Sequence, residues 1–156
     1  MLHFPIRLAA AFRLPLLAFG VIGRRSAYVR IDAVGEAGAA GPELVARFGW
    51  FALRTPLANL ERWQISGPYR WWRTIGVRGS WGKPEVTFGG SSHGGVALFF
   101  RQPLRRWWWY RPIAVLYVTL DDVGGLAAEL TARGIRGEDV RGSAAGNVEG
   151  SADVDG

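Results

Sequence analysis

Residues 49–67 read GWFALRTPLANLERWQISG. One run of apolar side chains, Trp50, Phe51 and Leu53, leads to Pro56; a second, Leu60, Trp63 and Ile65, follows Leu57. Proline has no amide hydrogen to give to a ladder, so a strand stops there or lies at an edge. Gly49 and Gly67 permit the reversals that bound short strands. The stretch predicts a strand, a corner at Pro56 and a second strand, with these residues supplying the apolar surface. That is the central bend of a small β-rich domain.

On either side the pattern is that of short strands. Ala27–Val34 alternates, placing Val29, Ile31 and Ala33 on one face and Tyr28, Arg30 and Asp32 on the other. Leu44–Phe48 runs into the Gly49 turn. Ile75, Val77 and Trp81 alternate with Gly76, Arg78 and Ser80. Val86–Phe88 is predicted to pair with Val96–Arg101 across the hairpin loop GGSSHGG (residues 89–95), with Val96, Leu98 and Phe100 inward. Ile113–Leu120 is apolar on both faces, as a central or helix-covered strand should be. Asp121 or Asp122 then offers an N-cap, Val123, Leu126, Ala127 and Leu130 recur at helical spacing, and Gly134 with Ile135 forms a left-handed C-cap.

So about seven or eight short strands precede one helix, at about residues 121–133. The expected class is mainly β, with antiparallel strands in two curved sheets that close on themselves and the helix as a stopper. The expected organisation is an apolar N-terminal segment (1–26) packed on the domain, the β domain with its helix (27–135), and a flexible acidic tail (136–156). Within the first segment Phe4, Ile6, Phe12, Leu16, Leu17 and Phe19 are predicted core residues. Its longest uncharged apolar run, Leu14–Gly23, falls short of the ~20 residues of a membrane-spanning helix. A cleaved signal is the minority reading, because Arg7 and Arg13 sit deep in the segment.

Charge is uneven. Residues 1–111 carry sixteen basic and five acidic groups, residues 112–156 three and eight; Lys83 is the only lysine. The excess of arginine suits an anionic partner for the first part, and suits equally a GC-rich coding bias. No cysteine is present, which removes disulfides, thiolate nucleophiles and thiolate metal ligands. His3 and His93 alone cannot build a histidine metal cluster, and no carboxylate pair is marked for acid–base work. Residues 89–95 lead from strand to strand, whereas a phosphate cradle leads into a helix. No catalytic residue, metal or cofactor is therefore assigned, and an enzyme is the least favoured class.

Several motifs are similar to those of a group of short, uncharacterised actinobacterial proteins: AYVRID (27–32), ARFG (46–49), RTPLANL (54–60), SGPYRW (66–71), VTFGG (86–90) and VTLDDVGGLAAEL (118–130). The similarity covers about residues 4–133 and carries no activity with it. The order of elements resembles the bacterial pleckstrin-homology-like (PH-like) barrel. Eukaryotic members of that fold often read inositol phosphates with basic residues in the first hairpin loop. Here the corresponding loop, residues 35–43, has two glutamates and no arginine. The resemblance thus implies the fold and not that ligand.

The chain departs from the group at residues 104–111, where LRRWWWYR stands. Tryptophan favours the water–lipid boundary and arginine attracts anionic headgroups. Arg70, Trp71, Trp72 and Arg73 repeat that chemistry beside Arg105, Arg106, Trp107, Trp108, Trp109 and Arg111. These ten are the candidate membrane- or partner-binding residues. The competing reading packs the tryptophans over an open end of the core with arginine stems across their faces. The expected function is a non-enzymatic binding module, cytoplasmic and in peripheral contact with an anionic membrane. A protein–protein adaptor or a homodimer through the aromatic rim comes next. Single-stranded nucleic acid follows, disfavoured because the acidic tail competes and no alternating-aromatic signature is present. A small-ligand or enzymatic barrel comes last.

Overall fold

The computed structural model describes residues 2–10, 13–23, 25–33, 41–67, 76–79, 84–90 and 94–141. Two sheets face each other across one hydrophobic core. The first is a meander of β1 (Leu2–Pro5), β2 (Ala27–Asp32), β3 (Glu43–Phe48) and β4 (Phe51–Pro56), antiparallel throughout. The second contains β5 (Leu60–Ser66), β6 (Gly76–Gly79), β7 (Glu85–Gly89), β8 (Gly95–Leu104), β9 (Ile113–Val118) and β10 (Gly137–Asp139), in the order β10-β5-β8-β9-β7-β6. The described residues also form two helices, α1 (Arg13–Leu17) and α2 (Val123–Ala132). The molecule is mainly β.

Period-2 alternation decides which side chains meet between the sheets. Ala27, Val29 and Ile31 of β2 are buried and Tyr28, Arg30 and Asp32 only partly so, as the alternation requires. Opposite them lie Trp63 and Ile65, Val86 and Phe88, Val96, Leu98 and Phe100, and Leu116 and Val118.

The stretch 49–67 is the passage from one sheet to the other. Gly49, with φ +60°, and Trp50 form the two-residue turn between the paired Phe48 and Phe51. After Pro56 a 3-10 turn, Leu57–Asn59, redirects the chain into β5. Its Asn59 amide replaces the missing ladder: Nδ2 donates to the Gln102 carbonyl and to Thr55 Oγ1, each at 3.0 Å, and Oδ1 accepts from the Gln102 amide at 2.9 Å. Those bonds pin the corner to β8 where the β8–β9 register shifts, between Phe99 and Leu104. Asn59→Ala is expected to cost about 1–3 kcal/mol, read as a lower urea midpoint at unchanged m-value.

The helix caps follow the sequence. Asp122 Oδ1 accepts from the Gly125 amide at 2.7 Å. At the other end Ile135 N–H reaches the Leu130 carbonyl and Gly134 N–H the Thr131 carbonyl, both at 2.9 Å, with Gly134 at φ +80°. Leu126, Ala127 and Leu130 are buried in the core, and α2 lies against β5.

Four expectations need correction. First, no closed barrel forms among the described residues. The sheets are joined by the β4–β5 corner and, near the end of β1, by a bridge between Ile6 and Leu120. Pro56 and the 3-10 turn end the β4 ladder before it could continue into the second sheet. Second, the strands are not all antiparallel: β9 inserts between β7 and β8, pairing parallel with β7, and β10 pairs parallel with β5. Val86–Phe88 and Val96–Arg101 are therefore not hairpin partners, because the doubly apolar β9 takes the middle of the sheet. Third, the chain does not leave the domain at residue 136. Trp63 Nε1 donates to the Ile135 carbonyl at 3.1 Å, and the Trp63 amide donates to that of Arg136 at 3.1 Å, which lays β10 along β5. Fourth, Leu17, read as core, is 50% exposed, and Trp50, counted in the apolar surface of the bend, is 71% exposed.

β1 is paired, with Phe4, Ile6 and Leu16 buried, so the N-terminal segment is built into the core. Pro15 fits in α1 because first-turn amides have no intrahelical partner. Phe12, the residues of the first hairpin loop up to 40, the loop tip 91–93 and the tail from 142 lie outside the described residues.

Candidate interaction rim

The β8–β9 connection, Arg105–Pro112, is a turn in which the Trp109 amide donates to the Arg106 carbonyl at 3.1 Å. It divides the arginine and tryptophan side chains by job. Trp108 turns inward, edge-on to Phe51 at 5.2 Å between centroids and tilted on Phe88 at 6.0 Å. Arg106 reaches across to the Arg54 carbonyl on β4, the outermost strand of its sheet. An edge strand leaves backbone groups unpaired, and the connection covers part of that edge. Trp109 is half-buried between Trp108 and Tyr110.

What remains faces water. Trp107 is 94% exposed and Tyr110 70%; Arg105 and Arg111 are exposed beside them, Arg111 lying 5.8 Å from the centre of the Tyr110 ring. Of the ten candidates, Trp107, Arg105 and Arg111 are presented outward. Trp108 and Arg106 act in the fold, and Trp109 is intermediate. Arg70, Trp71, Trp72 and Arg73 lie outside the described residues.

A second exposed group is not legible as such in the sequence. Leu14 is 81% exposed, Leu17 50% and Ile22 86%, around a cleft of about 570 Å³ lined also by Leu8, Leu16, Val21, Gly23 and Asp121. Trp50, at the neighbouring hairpin tip, lies over Gly20. It precedes Phe51, which meets Trp108, so the exposed Trp50 and Trp107 flank one packed aromatic pair. Large aliphatic side chains count as core by composition, and only the fold separates Leu16, 1% exposed, from its neighbour Leu17.

Comparison of the chain with family models, curated proteins and solved structures gives no match. What the rim can do must come from its own chemistry. Among the described residues Asp121 is the one charged side chain lining the cleft, and its other lining side chains are aliphatic, whereas a small-ligand site is usually oriented by several convergent polar side chains. Among those residues, too, no three His, Asp or Glu side chains are grouped as metal ligands would be, and no helix is long and apolar enough to cross a membrane.

Proposed function

We infer that this domain is a non-enzymatic binding module whose rim makes peripheral contact with an anionic membrane. The observation that carries the reading is Trp107, almost wholly in water on a turn anchored from behind by Trp108 and Arg106. A rigidly backed indole loses little entropy on entering the lipid interface, and Arg105 and Arg111 stand beside it for phosphate headgroups. Leu14, Ile22 and Trp50 supply the apolar area that an interfacial contact needs in addition to charge. Single-stranded nucleic acid is less well served, because Trp108 is committed to Phe51 and cannot stack on a base. For the fold we retain the PH-like reading in an open form, supported by two facing sheets followed by a helix, and with it kinship to the short actinobacterial proteins.

Co-sedimentation with vesicles tests the membrane reading. The protein is expected to pellet with vesicles containing phosphatidylserine or phosphatidylglycerol, to stay in the supernatant with phosphatidylcholine alone, and to be released by salt. Each arginine is worth about 1 kcal/mol at such a surface, so Arg105→Ala with Arg111→Ala should weaken binding by roughly tenfold or more. Adding Trp107→Ala should abolish it. Absence of binding to anionic vesicles, or binding indifferent to these changes, overturns the reading.

A further inference from the structure

The outer face of the six-stranded sheet has a pattern that the rim does not use. Cross-strand register places Arg62, Phe99, Val115 and Glu85 in one row across β5, β8, β9 and β7, and Gln64, Ala97, Tyr117 and Thr87 in the next. Phe99, Val115 and Tyr117 are half-buried and belong to neither the core cluster nor the side chains packed against it. The guanidinium of Arg62 lies 3.6 Å from the centre of the Phe99 ring. Burial pushes the Tyr117 hydroxyl above its usual range; the Glu85 carboxylate adds to this and Arg62 opposes it, so both charges act across this face.

We propose that this face binds a second copy of the chain, because both rows are complementary to themselves under a twofold axis. Let the axis lie between two stacked sheets, parallel to the strands and midway between β8 and β9. It then carries β5 of one copy over β7 of the other, and β8 over β9. Arg62 meets Glu85 of the second copy and Glu85 meets its Arg62, a salt bridge at each side. Phe99 falls on Val115 of the second copy; Ala97, 1% exposed, stands opposite Tyr117 and leaves the ring room without adding a contact of its own. Gln64 faces Thr87. The alternative twofold axis, along the rows, would set Arg62 on Arg62 and Glu85 on Glu85, so charge selects the first. An isologous contact requires each pair to occur twice, and this one does. Twisted sheets stack with strands nearly aligned at about 10 Å, which suits side chains of these sizes.

Light scattering and sedimentation velocity of the full chain over a concentration series read the result. A species of twice the 17.1 kDa chain mass is expected. Arg62→Glu and Glu85→Arg are outward changes. Each alone sets like charges together and should raise the dimer dissociation constant about tenfold or more. Mixing the two variants should restore a dimer. The carboxylate introduced at position 62 of one copy then faces the guanidinium introduced at position 85 of the other, and the native Glu85 of the first faces the native Arg62 of the second. Trp107→Ala should leave association unchanged, which separates this face from the rim. A monomer at all concentrations, a dimer indifferent to both charge changes, or single variants that stay folded but are not rescued by mixing would each overturn the proposal. Circular dichroism of each variant establishes that it is folded, and should one unfold, Val115→Arg takes its place and must itself prevent dimerisation.

Discussion

Trp108→Ala is expected to lower stability by about 2–4 kcal/mol, whereas Trp107→Ala, one residue away, should change it by no more than about 0.5 kcal/mol. A fully enclosed aromatic costs about 3–5 kcal/mol when cut to alanine, and Trp108 is only partly enclosed. Its contacts are nevertheless specific: an edge-on approach to Phe51 from the first sheet and a tilted one to Phe88 from the second. Removing the ring opens a gap between the two sheets. Trp107 has nothing to lose, being 94% exposed. Chemical denaturation of the two variants, compared by midpoint at a common m-value, reads the difference. Equal effects would mean that the connection is not divided into an anchor and a surface.

That division shows where sequence reasoning ends. Trp107, Trp108 and Trp109 are identical side chains in an irregular connection, where neither period 2 nor period 3.6 assigns a face. Where a period exists, it does assign one: alternation in β2 marks its buried face, and Asp122, Gly134 and Ile135 mark both ends of α2. The corner at Pro56 is legible because proline's missing amide acts locally. The insertion of β9 between β7 and β8 is not, because strand order depends on partners distant in sequence, and adjacency favours the simpler hairpin. β10 escapes notice for a similar reason. Gly137–Asp139 is polar and exposed, and what holds it is Trp63, far back in the chain.

Gly49→Ala is expected to be among the most damaging small substitutions, about 3–5 kcal/mol and tolerated only with movement of the backbone. Gly49 has φ +60°, which costs an L-residue about 1–2 kcal/mol by itself. A Cβ there would also sit 1.8 Å from the Phe19 carbonyl oxygen, the same oxygen that accepts from the Trp50 amide. Backbone cannot swing aside as a flexible side chain does, so the hairpin tip and the segment after α1 would have to part. Gly134→Ala is the internal control. Its φ is +80° and a Cβ would meet nothing within 4 Å, so only the conformational cost of about 1–2 kcal/mol should appear. Thermal or urea unfolding of both variants separates steric from conformational cost, and equal losses would show that the Phe19 contact does not constrain the turn.

The rim connects these structural points to function. Trp108, Arg106 and the Asn59 clamp hold the connection from behind, so that Trp107, Arg105 and Arg111 are presented without needing order of their own. The exposed Leu14, Ile22 and Trp50 extend the apolar surface around the Gly49 turn. Truncating the chain ahead of β2 would remove β1 and α1 together with the exposed Leu14 and Ile22, leaving Trp50 in place.

The most direct measurement is fluorine NMR of the protein labelled with fluorotryptophan, with resonances of the eight tryptophans assigned by single Trp→Phe changes and anionic vesicles then titrated in. Trp107 and Trp50 are expected to shift and broaden with anionic but not with neutral vesicles, while Trp63 and Trp108 keep their positions. Spectra in which no tryptophan responds, or in which Trp108 and Trp107 respond alike, would contradict the proposed membrane contact.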